Sequence, residues 1–293
     1  MTERLYTVAA TEWSPGCTAP DAAQATLALE NGRVLYLPRL AFRLPINERR
    51  FLSPRFSDGK TKNISYDPSS GGLRHTATAG ADRTALARMM ARYADAAHAL
   101  VTGLCPTYAR DLAWGLTSYR PFSATGRQTS PRKDDTRLHI DAFASRPVRG
   151  QRILRVFCNI NPDGVPRVWN LGEPFEAMAA RYATTVPAQL PGSAWLLEKL
   201  HVTKGRRSAY DHLMLSLHDR AKLDDDYQRS SSAVRIEFPS NSTWIVFTDL
   251  VMHAALAGQY LLEQTFYLPT ANMMDETLAP LRKLENLCHR PLA

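Results

Sequence analysis

The chain has 293 residues, 44% of them hydrophobic and 22% charged, which excludes general disorder and gives enough length to bury a large core without disulfide staples. Thirty-six lysines and arginines against 28 aspartates and glutamates leave a net charge of +8, which suits an anionic ligand such as nucleic acid, an acidic sugar or an anionic membrane surface. The four cysteines, Cys17, Cys105, Cys158 and Cys288, are dispersed with no Cys-x-x-Cys pair, which argues against a disulfide framework and against a cysteine-based zinc site.

A charged N-terminus without an apolar stretch predicts no signal peptide, and no run of 18 apolar residues exists to span a bilayer, so the expected compartment is a reducing cytoplasm. Residues 1–80 read as short strands and loops. A hairpin is expected within 28–37, turning at Asn31-Gly32. Pro38, Pro45 and Pro54 then break up a basic and aromatic extension containing Arg39, Phe42, Arg43, Arg49, Arg50, Phe51, Arg55, Phe56, Lys60 and Lys62. Residues 69–72, Ser-Ser-Gly-Gly, mark a turn. A helix is predicted over 82–103, capped by Asp82 and stopped by Gly103 and Pro106, with Leu86, Met90, Tyr93, Ala97 and Leu100 on one core-facing side.

A polar loop without periodicity covers 121–137. Strand-like runs follow at 152–160, 193–197, 234–238, 243–247 and 261–268. Two helices interrupt them, one over about 173–183 and one over 208–225 with Leu213, Met214, Leu217 and Ala221 as its apolar stripe. There is no internal repeat or low-complexity tract. Many short strands with few helices predict a mainly β protein of α+β type, a barrel or sandwich with helices packed outside.

Of the eight histidines, only His139 has an aspartate two residues later, Asp141. In extended backbone, positions i and i+2 face the same way, so imidazole and carboxylate project side by side. That is how two ligands of a facial two-histidine, one-carboxylate iron site are supplied, and His253, after the strong strand 243–247, is the candidate third. The spacing alone is weak: an ordinary strand histidine beside a capping aspartate, and a satisfied core His253, are equally good readings. A three-ligand iron leaves positions for 2-oxoglutarate and O2. The distal carboxylate of 2-oxoglutarate then needs a cation, and a guanidinium fork suits it. Arg155, flanked by apolar residues in 153–157, is the first candidate, with an edge-strand arginine as the alternative. Arg120, closing the strand-like piece at 117–120, is a second cation. Trp169 has an indole N–H that would want an acceptor if buried, and it reads equally well as a core tryptophan.

The runs LHIDAFASRP (138–147), LRVFCNINP (154–162), PRVW (166–169) and GEPF (172–175) together resemble the Kdo hydroxylase family, Kdo being 3-deoxy-D-manno-octulosonic acid of lipopolysaccharide. The resemblance extends over most of the chain from about residue 30. It implies an Fe(II)/2-oxoglutarate-dependent dioxygenase on a double-stranded β-helix of jelly-roll or cupin-like form. The whole of 1–293 would be a single domain, with its core at 110–270 and a helical insertion at about 200–230. It further implies iron ligation by His139, Asp141 and His253, and 2-oxoglutarate contacts by Arg120, Arg155 and Trp169. The implied reaction hydroxylates C3 of Kdo in Kdo-lipid A to give Ko. Many other dioxygenases place the 2-oxoglutarate cation shortly after the distal histidine, but 254–269 contains no Lys or Arg, which favours Arg155.

Other cations, Arg127, Arg132, Lys133, Arg146 and Arg149, are candidates for the Kdo carboxylate or lipid A phosphates. Peripheral contact with the inner membrane is expected through a basic face with exposed Phe42, Phe51 and Phe56, and nucleic acid is not an expected partner. Three rivals stand beside this reading: a nucleic-acid binder using the basic and aromatic stretch between Arg39 and Lys62, a 2-oxoglutarate oxygenase of another substrate, and a non-catalytic β-barrel whose His-x-Asp is accidental.

Overall fold

The computed structural model describes residues 3–16, 18–124 and 129–293; Cys17 and Arg127 lie outside them. The chain opens with β1 (Leu5–Thr7), which pairs in parallel with β2 (Val34–Leu37). A parallel pair requires a crossover, and helix α1 (Ala19–Glu30) supplies it. The expected hairpin at Asn31-Gly32 is therefore absent. Thr18 caps the alanine-rich α1, Asn31 closes it, and Gly32, at φ +77°, makes the left-handed turn that ends a helix as readily as it makes a hairpin.

Strands β3 (Ile64–Asp67) and β4 (Gly72–Arg74) form a hairpin over the Ser69–Gly72 turn. Helix α2 (Gly80–Leu104) follows. Leu86, Met90, Tyr93, Ala97 and Leu100 are all fully buried on it, as their spacing predicts. Its start differs from expectation: Ala79 precedes the first turn, and Asp82 sits inside that turn, paired with Arg50 at 2.9 Å. Gly103 lies within the last turn, and Cys105-Pro106 provides the stop.

Then come β5 (Ala113–Arg120), β6 (Arg152–Asn159) and β7 (Arg167–Leu171). Between β7 and the next strand the chain is helical: α3 (Phe175–Tyr182), α4 (Ser193–Lys199), α5 (Ala209–Leu223) and α6 (Asp225–Ser230). The run 193–197 is thus helix, not strand. A five-residue apolar stretch carries too little periodicity to separate the two, and Gly192 in a left-handed conformation sets the helical start. Ser208 and Asp211 close a reciprocal capping box on α5, and Asp224 ends that helix and caps α6. Strands β8 (Val234–Phe238), β9 (Thr243–Phe247), β10 (His253–Ala257) and β11 (Leu261–Leu268) and helix α7 (Pro280–Cys288) complete the chain.

The large sheet has the order β1-β2-β9-β6-β11-β5-β3-β4, antiparallel except for β1 with β2; the small sheet is β10-β7-β8. This is the double-stranded β-helix arrangement, with helices packed outside. Helix α2 crosses the outer face of the large sheet, where the Tyr93 hydroxyl reaches the carbonyl oxygens of Val156 (3.0 Å) and Leu262 (3.3 Å). The space between the sheets is filled at one end by Phe157, Trp169, Phe238 and Trp244, the last two rings stacked at 4.0 Å.

Phe42, Phe51 and Phe56, expected on an exposed membrane-facing or base-stacking surface, are buried instead. They pack beneath α2 with Arg92, Arg50 and Arg55 laid over their rings, so these rings cannot meet a lipid surface or a nucleobase. Among the described residues no helix is long and apolar enough to cross a membrane.

Candidate active site

The site is built where the segment 135–141 runs beside β10. The Ala255 amide donates to the Asp135 carbonyl at 2.7 Å. His139 and His253 exchange two backbone hydrogen bonds of 3.0 and 2.8 Å, and the Asp141 amide donates to the Thr248 carbonyl at 2.7 Å. His139 and Asp141 are held extended in this way without belonging to a regular strand, which is enough to point both side chains to one side.

The ligating atoms of His139, Asp141 and His253 all lie within 4.8 Å of one another, and all three residues are buried. Each imidazole is oriented by its own neighbourhood: Nδ1 of His139 meets the Arg137 carbonyl at 2.7 Å, and Nδ1 of His253 meets that of Val251 at 2.8 Å. A carbonyl can only accept, so Nδ1 carries the proton in both rings and Nε2 offers its lone pair to the common centre. Burial lowers the pKa of both histidines, His139 strongly, and so favours the neutral, ligating form. Asp141 is held well below the ordinary carboxylate range: burial opposes its charge, but Arg155, His253 and His139 favour it more. Two neutral imidazole nitrogens and a carboxylate oxygen brought to one point fit a divalent first-row transition metal.

Beside this trio lies a buried charge network across β5, β11 and β6. Arg155 contacts Asp141 Oδ2 at 3.2 Å and Glu263 Oε1 at 3.0 Å. Arg120 contacts the other Glu263 oxygen at 2.5 Å and Asp135 at 3.2 Å, and Lys62 also pairs with Asp135. The register explains the arrangement. Arg120 lies opposite Leu261 and Arg155 opposite Thr265, so Glu263 stands between them on the same face of β11. Trp169 lies 5.1 Å from the His253 ring and nearly parallel to it, with its buried indole N–H lacking a partner.

Three side chains here escaped the sequence reading. Arg167, two residues before Trp169 on β7 and so on the same face, is buried. Its Nη1 donates to the Gly258 carbonyl at 2.9 Å, and it forms no ion pair among the described residues. Burial, with Arg120 adding to it, pushes its pKa down to about 9. Gly258 is required there: at φ +106°, a Cβ would lie 2.9 Å from the Arg167 backbone. The available signal was the alternation Arg167-x-Trp169, which sends both side chains inward. His218, on α5, stands edge-on to His139 with centroids 5.5 Å apart and its Nδ1 3.0 Å from Asp219. Lys222, one turn later, is buried, with Nζ 3.3 Å from the Arg132 carbonyl and 3.9 Å from Asp135. A histidine and a lysine four apart beside an apolar stripe were the sign of a polar surface facing inward.

Of the remaining cations, Arg132 pairs at 3.1 Å with Asp219, the partner of His218, and Arg149 lies on the surface with its Nε 3.3 Å from the Arg206 carbonyl.

The family model described as 3-deoxy-D-manno-oct-2-ulosonic acid (Kdo) hydroxylase matches residues 12–291. No curated protein sequence matches the chain. Crystal structures of the Kdo hydroxylase KdoO, a non-heme Fe(II) α-ketoglutarate-dependent dioxygenase, superpose on it closely. The complex with α-ketoglutarate and Fe(III) has a TM-score of 0.95 at 44% identity, covering 99% of this chain and 97% of that one. The cobalt(II) complex gives 0.96 at the same identity and coverage, and the complex with succinate and Fe(III) gives 0.95. A buried His-x-Asp and distal histidine brought to one point, on a fold shared over almost its whole length with these structures, leave one assignment: the chain belongs to the Kdo hydroxylase family.

Proposed function

We propose that the protein hydroxylates C3 of Kdo in Kdo-lipid A to form Ko, as an Fe(II)/2-oxoglutarate-dependent dioxygenase. The observation that carries this reading is the convergence of two Nε2 lone pairs and one carboxylate within 4.8 Å, next to three buried guanidinium groups. His139, Asp141 and His253 would hold the iron. Bound iron, with 2-oxoglutarate and O2, supplies oxidative decarboxylation to succinate and CO2 and delivers one oxygen atom to the C3–H bond.

The chain's own residues do the positioning. Arg155, Arg120 and Arg167, with the Trp169 N–H, offer the donors that a dicarboxylate needs. Arg167 contributes a charge that no carboxylate among the described residues pairs with. Phe157, Trp244 and Phe238 wall the far end and keep it dry. Lys62, Arg132 and Lys222 gather around Asp135 and Asp219 and favour an anionic sugar acid beside them.

On this reading the whole chain is one catalytic unit built around the sheets at 110–270. It works in the cytoplasm at the inner membrane, where its lipid-linked substrate resides. Mass spectrometry of core sugar after expression in a bacterium that lacks Ko tests the proposal: the expected result is a gain of one oxygen atom on Kdo, absent with His139→Ala. Unchanged Kdo in the presence of well-expressed, iron-loaded protein would overturn it.

A further inference from the structure

Among the described residues, exposed large apolar side chains are dispersed along the chain except in one segment. Leu190, Trp195, Leu196, Leu200 and Val202 fall within thirteen consecutive positions, and each is at least half exposed, Leu190 reaching 75%. Their order is helical. On α4 and its closing residue Leu200, Trp195 with Lys199 and Leu196 with Leu200 are four apart, so one outward stripe carries an indole, two leucines and an ammonium, while Ala194 alone of that helix is buried. Pro191 and the left-handed Gly192 start the helix abruptly and leave Leu190 at its edge. The flanking charge is of one kind: between 187 and 207 stand Lys199, Lys204, Arg206 and Arg207 against the single carboxylate Glu198.

This patch is wired to the site. The Lys204 amide donates to the Ser145 carbonyl at 2.8 Å, Arg207 reaches the Ala144 carbonyl, and Asp211 accepts from the amides of Val148 (2.8 Å) and Arg149 (3.0 Å). Ala144 lies three residues beyond Asp141, and between them the Phe143 ring stands 5.7 Å from the Arg155 guanidinium. The apolar stripe and its basic flank therefore share a face with the segment leaving the metal-binding trio.

We propose that residues 190–207 are the surface by which the protein docks on an anionic lipid bilayer, with Trp195, Leu196 and Leu200 entering the headgroup layer and the cations pairing with lipid phosphates. The partner follows from charge complementarity. A solvent-facing indole and leucines rimmed by ammonium and guanidinium groups match a negative, half-apolar interface, and an apolar protein partner would not call for that one-signed rim. The purpose rests on the Kdo-lipid reading, because a lipid-anchored sugar must be met at the membrane.

Co-sedimentation with vesicles of phosphatidylglycerol and phosphatidylcholine in equal parts tests the surface without substrate. The wild-type protein is expected to sediment with them, with a blue shift of tryptophan emission, and to leave pure phosphatidylcholine vesicles largely unbound. Trp195→Ser/Leu196→Ser/Leu200→Ser and, separately, Lys199→Glu/Lys204→Glu are each expected to lower vesicle affinity about tenfold or more. Both variants are expected to keep wild-type succinate release with a deacylated, water-soluble Kdo-lipid A fragment, which reports intact folding and catalysis. Equal binding by wild type and both variants, or no binding by wild type, overturns the surface. Vesicle binding that behaves as expected while no variant acts on the soluble fragment upholds the surface and overturns the substrate assignment instead.

Discussion

Arg167 and Arg152 are both buried guanidinium groups, and the difference between them separates function from stability. Arg152 is matched: Asp249 takes its Nε at 2.8 Å and its Nη2 at 3.3 Å, both side chains are almost completely enclosed, and the guanidinium lies over the Phe247 ring. Asp249→Ala would strand that charge and is expected to cost about 3–5 kcal/mol, read as a lower denaturation midpoint. Arg167 has a carbonyl but no carboxylate. Arg167→Met should therefore leave the ligand-free protein at least as stable as wild type while weakening 2-oxoglutarate binding by roughly 10–100-fold, on about 1.5–3 kcal/mol for a hydrogen bond to a charged group. Calorimetric titration with iron content monitored checks it, and a large drop in melting temperature without ligand would contradict it. At this scale spacing and strand order made His139, Asp141 and His253 candidates, and the family resemblance made them a set. Arg167 was not among them. The run 166–169 carried the family resemblance but was not assigned to a strand, and until the sheet's faces are known the spacing Arg167-x-Trp169 does not say which way the pair points.

Among the elements, α2 was the most readable because twenty-five residues repeat the helical period many times. Helices α1 and α4 were not. The alanines of α1 sit on every side of the helix, so no stripe stands out, and α4 is too short for a period to register. Strands β8, β9 and β11 match their runs to the residue because β-branched and aromatic clusters stand beside the breakers Pro239, Asn241, Gly258 and Pro269. Helix α5 matters most to the site, since it carries His218 to the His139 ring and Lys222 to Asp135, and its first turn is fixed by the Ser208–Asp211 box. Ser208→Ala is expected to cost about 1 kcal/mol in a urea titration with little change in the slope. A larger loss would mean that the capping box also anchors the 144–149 segment, which Asp211 holds with its other oxygen.

Over the whole molecule, two sheets enclose a space that is apolar at one end and crowded with charge at the other. Such an interior is stabilised by what it binds. Iron and 2-oxoglutarate each bind the folded chain alone, so the melting temperature should rise with either and rise further with both. A chelator should abolish the part due to 2-oxoglutarate chelation of the metal while leaving a smaller part due to the guanidinium groups. Differential scanning fluorimetry over a matrix of the two ligands checks this, and additivity with no coupling would argue against a shared site. The net charge of +8 gave the sign of the ligands but not their location, because charge counts carry no geometry. The basic and aromatic stretch near the N-terminus shows the same limit: its rings were legible as a cluster, and only packing under α2 revealed that the cluster faces inward.

The reciprocal amide pair between His139 and His253 has a consequence for how the centre comes to exist. The separation of the two imidazoles is dictated by main chain, with each ring pinned from behind by a carbonyl, so their rotational freedom is surrendered when the chain folds and not when the ion arrives. An incoming cation then meets a nearly finished socket, and its capture resembles insertion into a rigid chelate more than the metal-driven ordering of a small zinc module.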